Sequence, residues 1–377
     1  MKTVVIFHLW HGPGHWDLSE QSNVWFARFY ESYFDRVYVV TLINDGKENV
    51  RQGKTTYLTL GKGSTKTDLL LAPYRLCRLI KKLKPDVLVT YEQVLLFWVL
   101  LFRRLCTKSK VYLLPITIPP AMYKVTGKSL SIKLPIWLEK VLISLSYRST
   151  DYALTTTSFG NYIEWLQSEA LLNKKLVIVD KLPEALPPPK FFDQISNPTV
   201  KSSNKTTLLY VGRLHQEKLV DHLIRMMAIL GKENHEYKLI IIGDGNQKEE
   251  LISLAKQLGV DDVITFLGYV ANADLPNYYL SADLFVSPLT GGSLREAALC
   301  GLPVVAYDMD WIKDILVHKK TFMAVEPYNY EALATEVKNI TADKELKLSI
   351  SQNIKKLSWE LWSPLNLNVS LEKAFGR

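Results

Sequence analysis

The chain has 377 residues, of which 47% are hydrophobic and 22% are charged, a composition that excludes a disordered or fibrous protein at a length that suggests two domains. The formal net charge is +8, and the basic excess lies in residues 1–190, with 26 Lys+Arg against 15 Asp+Glu, whereas residues 191–377 have 20 against 23. A basic first half favours an anionic partner, which can be a membrane surface, a nucleic acid or a phosphorylated substrate.

Short β-branched runs alternate with amphipathic stretches along the chain, which predicts parallel sheets covered by helices. The first series of predicted strands is Thr3–His8, Arg36–Leu42, Asp86–Thr90, Lys110–Leu114 and Tyr152–Thr156. The second series is Thr207–Val211, Tyr237–Ile242, Asp262–Phe266, Leu284–Ser287 and Pro303–Ala306. Each series has the pattern of a complete doubly wound sheet, so we expect an α/β protein with two Rossmann-like domains.

Five prolines between Leu182 and Thr199 predict an interdomain linker, because proline cannot continue a helix or an inner strand. We therefore expect a first domain at residues 1–190, a linker at 191–205, a second domain at 206–345 and C-terminal helices at 346–377.

Targeting and redox signals are weak in this sequence. The apolar run after Met1 is too short for a signal peptide, and the longest apolar run, Val94–Phe102, has nine residues, where a transmembrane helix needs about 20. The three cysteines, Cys77, Cys106 and Cys300, have no metal-binding spacing. We expect neither a disulfide framework nor a zinc site, and a reducing, cytoplasmic compartment.

The first candidate site follows a predicted strand that ends at Gly212. Arg213 and Lys218 come next, as a helix begins. In an open α/β sheet, ligands bind beyond the carboxyl ends of the strands, where the next helix offers free amides to an anion. We expect the two cations to hold a diphosphate from two sides. The alternative is a pair of ordinary solvated side chains.

The second candidate site follows the strand Leu284–Ser287. Adjacent glycines before a helix let backbone amides approach a phosphate, and Glu296 in that helix can accept hydrogen bonds from a ribose diol. Taken alone, the segment is typical of an ordinary loop. The candidate loop residues are Thr290, Gly291, Gly292, Ser293 and Leu294.

Five blocks occur in a fixed order along the second half. They are Gly212-Arg213-Leu214 with Glu217-Lys218, Ile241 to Gly245, Phe266 to Gly268, Ala282 to Pro288, and Glu296-Ala297 with Gly301 to Val305. This order resembles the donor domain of the GT-B glycosyltransferases, specifically the retaining group classed as family 4, over roughly residues 207–340. The first half resembles the acceptor domain in architecture alone.

The resemblance implies two Rossmann-like domains that face a cleft, with a C-terminal helix that crosses back to the first domain. It implies a UDP- or GDP-linked sugar as donor, with Arg213 and Lys218 on its diphosphate and Glu296 on its ribose. It assigns Gly212 and the loop from Thr290 to Leu294 to donor binding as well.

Three positions depart from the family pattern. Pro288 stands where the family has a first Glu, eight residues before Glu296, and Leu219 replaces a glycine after Glu217-Lys218. Many members also carry a His after the fourth or fifth strand, where this chain runs into Tyr91-Glu92 and Pro115-Ile116-Thr117. A departing phosphate oxygen that takes the acceptor's proton makes that His dispensable.

The first predicted strand leads into a loop that contains Gly12, Gly14, His15 and Asp17. The resemblance places this loop at the cleft, beside donor and acceptor. An ordinary solvated loop is an equal alternative.

Asp308-Met309-Asp310 is a DxD triplet, which binds a divalent cation in the other major glycosyltransferase fold. This fold uses protein cations for the diphosphate, so we expect no metal and no other cofactor.

Between Leu70 and Arg148 the chain has 14 basic and three acidic residues. Lys128, Lys133 and Lys140 flank an apolar helical stripe around Trp137, which is either a core-facing helix or a surface that docks on anionic membrane. We expect reversible docking on the inner face of the plasma membrane. Nucleic acid is not expected, because no recognised binding module is present.

The sequence therefore predicts a hexosyltransferase-type enzyme of polysaccharide biosynthesis. It would move a sugar from a nucleotide sugar to a lipid-linked or cell-envelope glycan acceptor, with retention implied by the resemblance. The alternatives are a nucleotide-sugar epimerase of the same fold and a catalytically degenerate transferase that acts as a binding partner.

Overall fold

A computed structural model describes the residues in the following ranges: 1–8, 26–41, 50–60, 65–90, 108–114, 141, 150–156, 176–179, 181, 183, 186–195, 205–233, 237–289, 291–309 and 312–376. The chain forms two compact units. Unit 1 is Met1–Glu184 with Asn366–Arg377, and unit 2 is Ala185–Leu365.

Unit 1 is built on an eight-stranded sheet with the order β3-β4-β2-β1-β5-β6-β7-β8. The edge strand β3 pairs antiparallel with β4, and the other neighbours are parallel. The strands are β1 Thr3–His8, β2 Arg36–Thr41, β3 Val50–Gln52, β4 Thr55–Thr59, β5 Val87–Thr90, β6 Lys110–Leu113, β7 Tyr152–Thr156 and β8 Leu176–Val179. The apolar run of β1 is fully buried, as expected for an inner parallel strand covered on both faces.

Three described helices belong to unit 1: α1 Phe26–Tyr30, α2 Thr65–Leu83 and the C-terminal α11 Leu367–Phe375. The ring of Phe375 lies 5.5 Å from that of Phe34 and 4.8 Å from that of Tyr112, centroid to centroid. This aromatic contact holds the end of the chain on unit 1.

Unit 2 is a six-stranded parallel sheet with the order β11-β10-β9-β12-β13-β14. Its strands are β9 Thr206–Val211, β10 Tyr237–Ile242, β11 Ile264–Gly268, β12 Leu284–Ser287, β13 Val304–Tyr307 and β14 Met323–Val325. The described helices are α3 Pro189–Gln194, α4 Val220–Glu233, α5 Lys248–Gln257, α6 Leu275–Ser281, α7 Gly292–Leu299, α8 Ile312–Ile315, α9 Tyr330–Ala342 and α10 Lys344–Trp362. This strand order is that of dinucleotide-binding sheets. From β9 the chain adds strands first to one side of the sheet, as β10 and β11, and then to the other side, as β12, β13 and β14, so the order reverses between β9 and β12.

All ten predicted strands are present, with ends shifted by at most two residues. The strands β3, β4, β8 and β14 were not predicted. Two of them, β3 and β14, have only three residues each, too short for an alternating pattern to stand out.

The two units divide the chain differently from the predicted bounds. The proline-rich segment contains the helix α3, because Pro189 occupies the first helical turn, where its missing N–H costs no hydrogen bond. The predicted segment 346–377 is split, since α10 buries Ile350, Ile354 and Trp362 in the core of unit 2. Within that segment, α11 belongs to unit 1.

The sequence predicts no disulfide framework, and among the described cysteines Cys77 on α2 is disulfide-bonded. Cys300 is a free thiol. Within the described ranges, none of the helices combines the length and the apolar character that a membrane crossing requires. Lys128, Lys133 and Lys140 lie outside the described residues.

Candidate functional site

The site lies where the strand order of unit 2 reverses. Strands β9 and β12 are parallel neighbours, with Leu208 opposite Leu284 and Leu209 opposite Phe285. Their carboxyl ends therefore meet at one edge of the sheet. The loop after β9, which carries Arg213 and Lys218, lies beside the loop from β12 to α7, which carries the glycines. The strand order thus brings the two sequence-predicted candidates to the same edge of the sheet.

Backbone hydrogen bonds join the loops after β9, β10 and β11. The N–H of Gly212 donates to the carbonyl of Ile242 at 3.0 Å, that of Leu214 to Asp244 at 2.9 Å, and that of Gly243 to Gly268 at 2.8 Å. These bonds fix the path of the chain on both sides of Arg213.

Two glycines make this close approach possible. Gly243 has φ +138, and a Cβ there would lie 1.9 Å from the carbonyl oxygen of Gly212. A Cβ on Gly245 would lie 2.2 Å from the carbonyl oxygen of Leu214. Any side chain at either position would push the β9 loop out of place, which explains the Gly-Asp-Gly sequence after β10.

Arg213 is mostly exposed, with a guanidinium nitrogen 3.5 Å from a carboxylate oxygen of Glu217. Exposed pairs of this kind contribute little to stability because water and salt screen them. The guanidinium is therefore available to a multiply charged anion, which binds it more strongly than one solvated carboxylate does.

Lys218 ends a short 3-10 turn, Gln216–Lys218, and the next residue, Leu219, has φ 52. This is the left-handed conformation that glycine favours, at the position where the family pattern has glycine. The leucine adopts the glycine-like backbone at a cost of roughly 1–2 kcal/mol.

The N-terminus of α7 is open. Its N-cap, Gly291, is extended, and it makes no side-chain capping hydrogen bond. A Cβ built on Gly291 or Gly292 would meet no atom within 4 Å. The first amides of a helix have no partner within the helix and favour an anion, so an anion at this position stays a prediction. The side chain of Leu294 is fully buried, so only its backbone amide could contact a donor. Thr290 lies outside the described residues.

Glu296 lies on α7, and its Oε2 accepts a hydrogen bond of 2.7 Å from the hydroxyl of Tyr279 on α6. Burial raises the pKa of Glu296, opposed by the Tyr279 hydrogen bond and by Arg295. Burial also raises the pKa of Tyr279, so its hydroxyl stays protonated and donates. The bond holds Oε2, and ribose binding by the other carboxylate oxygen stays a prediction.

Nothing in the sequence marks Tyr279 as a site residue. Its ring is buried, 6.4 Å from that of Phe191 and 6.0 Å from that of Phe285, and its pattern is that of a core tyrosine. Only the hydroxyl reaches the site, through Glu296.

Several sequence-predicted candidates fall outside the described residues. They are Gly12, Gly14, His15 and Asp17 of the first loop, with Tyr91, Glu92 and Pro115-Ile116-Thr117. Asp308 is exposed after β13, and Asp310 is outside the described ranges. Among the residues that the structure describes, no group of three His, Cys, Asp or Glu side chains is placed to hold a metal ion.

We expect Gly292→Leu to weaken nucleotide-sugar binding at least about tenfold while the unfolding temperature stays the same. The space at this glycine is empty, so a leucine fits the fold but fills the approach to the α7 amides. Calorimetric titration and thermal unfolding measure the two effects. Gly292→Ala is the matched control, and equal binding by the Leu and Ala variants would place the ligand elsewhere.

Residues 191–357 match the family model for glycosyl transferases group 1. An uncharacterized glycosyltransferase of Methanocaldococcus jannaschii is 34% identical over 160 residues, which are 41% of this chain and 41% of that protein. A GDP-mannose-dependent alpha-(1-6)-phosphatidylinositol monomannoside mannosyltransferase of Mycobacterium tuberculosis is 28% identical over 152 residues, 37% of this chain and 40% of that protein. The matched region spans less than half the length of these relatives.

A solved structure matches the chain along its whole length. It is Anabaena HepE in complex with UDP, which covers 100% of both chains with a TM-score of 0.71 at 15% identity. Together with the two parallel-sheet units, this likeness confirms the predicted GT-B fold.

Proposed function

We propose that the protein moves a sugar from a nucleoside-diphosphate sugar to an acceptor hydroxyl. The GT-B fold and the match of residues 191–357 to the family model for glycosyl transferases group 1 support this proposal. The acceptor is a lipid-linked or cell-envelope glycan. The donor binds to unit 2, at the edge where β9 and β12 end.

The observation that carries the proposal is the reversal of strand order between β9 and β12. It brings the cations of the β9 loop, Arg213 and Lys218, to the same edge as the uncapped N-terminus of α7. Two cations and a set of free amides at one sheet edge suit a diphosphate. Glu296 lies about one turn into α7, the same helix, where its carboxylate would accept hydrogen bonds from the ribose of the donor.

The transfer breaks the bond between the anomeric carbon of the sugar and the diphosphate oxygen, and it forms a bond from that carbon to the acceptor oxygen. The acceptor's proton passes to the departing phosphate oxygen. Arg213, Lys218 and the α7 amides stabilise the negative charge that grows on the leaving group, which lowers the barrier. Because donor and acceptor then share one face of the sugar, the anomeric configuration is retained.

The acceptor class is supported by charge and by one relative. The basic excess lies in the first 190 residues, and the Mycobacterium tuberculosis relative is named for a phosphatidylinositol monomannoside. We place the reaction at the inner face of an anionic membrane, to which the chain docks reversibly through basic side chains.

We expect donor binding to need no divalent metal, because Arg213, Lys218 and the α7 amides already supply positive charge to the diphosphate. Nucleotide affinity measured by calorimetry should be the same with and without a chelator. Loss of binding in chelator, its return with manganese and its loss again in Asp308→Asn would contradict this expectation.

The proposal is tested by incubating the purified full chain with a panel of nucleotide sugars. Release of free nucleoside diphosphate, faster with a glycan or lipid acceptor, is the expected result. Conversion of the donor to its epimer would identify an epimerase instead. Absence of any turnover, with every sugar and acceptor tried, would indicate a degenerate transferase that binds a partner.

A further inference from the structure

A cavity of about 820 Å³ lies in unit 1 at the edge where β1, β5 and β6 begin. This is the amino edge of the sheet, whereas ligands of doubly wound sheets bind at the carboxyl edge. Its volume is that of ordinary ligand pockets. The cavity has no part in the donor site, which belongs to unit 2.

Five lysines line the cavity together with one carboxylate, Asp86, beside apolar and aromatic side chains. The segments that carry them are brought together by the sheet: the N–H of Lys110 donates to the carbonyl of Asp86 at 3.0 Å, and the N–H of Asp86 to that of Thr3 at 2.9 Å. The five lysines are Lys2, Lys81, Lys84, Lys108 and Lys110.

The nearby negative groups are already engaged. Asp86 accepts a hydrogen bond of 2.7 Å from the backbone N–H of Thr3. Glu372 lies 3.9 Å from Lys2, whose ammonium also donates to the hydroxyl of Tyr33 at 2.8 Å. The other four lysines form no ion pair with any residue of the described ranges.

The helix α2 accounts for part of this cluster. Lys81 and Lys82 lie in its last turn, where cations stabilise the exposed carbonyls. That explanation does not extend to Lys108, which precedes β6, or to Lys110, which is the first residue of β6. Unpaired ammonium groups from separate segments around one cavity repel one another, and a multiply charged anion removes that repulsion.

We propose that this amino-edge cavity binds a phosphate-bearing anion. The phosphate is that of a lipid headgroup or of a free phosphorylated metabolite, and both present the same doubly charged group to the lysines. Four ammonium groups match such an anion better than the single charge of a carboxylate.

The test uses the full chain with Arg213→Ala and Lys218→Ala, which silences the donor site. Inorganic pyrophosphate is titrated by calorimetry into this background and into the same background with Lys84→Glu and Lys108→Glu. The side chains of Lys84 and Lys108 are exposed and make no described contact, so the fold is expected to persist, as thermal unfolding will verify. The control is Lys82→Glu, a single charge reversal at an exposed position in the last turn of α2 that does not line the cavity.

We expect pyrophosphate affinity to fall at least tenfold in the cavity variant and to stay within twofold in Lys82→Glu. Equal affinity in both variants, or no binding in the background chain, would overturn the proposal and leave the donor site untouched. Sedimentation with phosphatidic acid vesicles against phosphatidylcholine vesicles separates the two sources. Vesicle binding that only the cavity variant loses identifies a lipid headgroup, whereas pyrophosphate binding without vesicle binding identifies a free metabolite.

Discussion

Replacing Arg213 or Lys218 by alanine is expected to lower turnover by at least about 100-fold, because either change removes a cation from the leaving group in the transition state. The fold is expected to survive both changes. Arg213 is mostly exposed, and its pair with Glu217 at 3.5 Å is screened by solvent.

The measurement is steady-state release of nucleoside diphosphate, with thermal unfolding as the check on the fold. Lys256→Ala is the matched control, since Lys256 is an exposed cation in the last turn of α5. Near-parental turnover in both Arg213→Ala and Lys218→Ala would show that the donor diphosphate is not held by the β9 loop.

Glu296→Gln is expected to weaken nucleotide binding and to stabilise the fold at the same time. The ribose loses a charged acceptor, which costs about 1.5–3 kcal/mol of binding free energy. The amide still accepts the Tyr279 hydrogen bond, so the packing around α6 is kept.

The stability effect has a definite pH dependence. Because burial raises the pKa of Glu296 above its ordinary 4.5, the folded chain holds a proton that the unfolded chain has released only in the pH range between 4.5 and the raised value. The stabilising contribution of this group is complete below pH 4.5 and is lost as the pH rises through the raised value. The Gln variant should therefore unfold at a higher temperature than the parent at pH 7, and by a smaller margin at pH 4.

Thermal unfolding at the two pH values, with calorimetry of nucleotide binding, measures both effects. Glu360→Gln on α10 is the control, because its carboxylate is exposed. A Gln variant that binds nucleotide as tightly as the parent would remove Glu296 from the donor site. One that is less stable at pH 7 would contradict the burial of an ionised carboxylate.

The sequence predicts the central strands well because their apolar runs carry the signal. β9 and β12 are buried on both faces, and the glycines and cations that follow them mark the site in the amino-acid sequence itself. The positions of Arg213, Lys218 and Glu296 after these strands were therefore predictable, and the strand order puts both segments at one sheet edge. Their roles in donor binding stay predictions.

Other features depend on contacts between distant segments. The bond from Tyr279 to Glu296 joins two helices, and the sequence of α6 shows a core tyrosine and nothing more. Pro189 begins a helix in a segment whose prolines predict a linker. The amino-edge cavity assembles lysines from the last turn of α2, from the residues just before β1, β5 and β6, and from the first residue of β6. Strand pairing brings these segments together.

The most direct measurement of the central claim is calorimetric titration of the full chain with UDP and with GDP. We predict that one of these nucleotides binds tightly, and that the combined Arg213→Ala and Lys218→Ala substitutions abolish this binding while Lys256→Ala leaves it unchanged. Tight binding that the double variant retains, or absence of binding by both nucleotides, would contradict a donor site at the edge where β9 and β12 end.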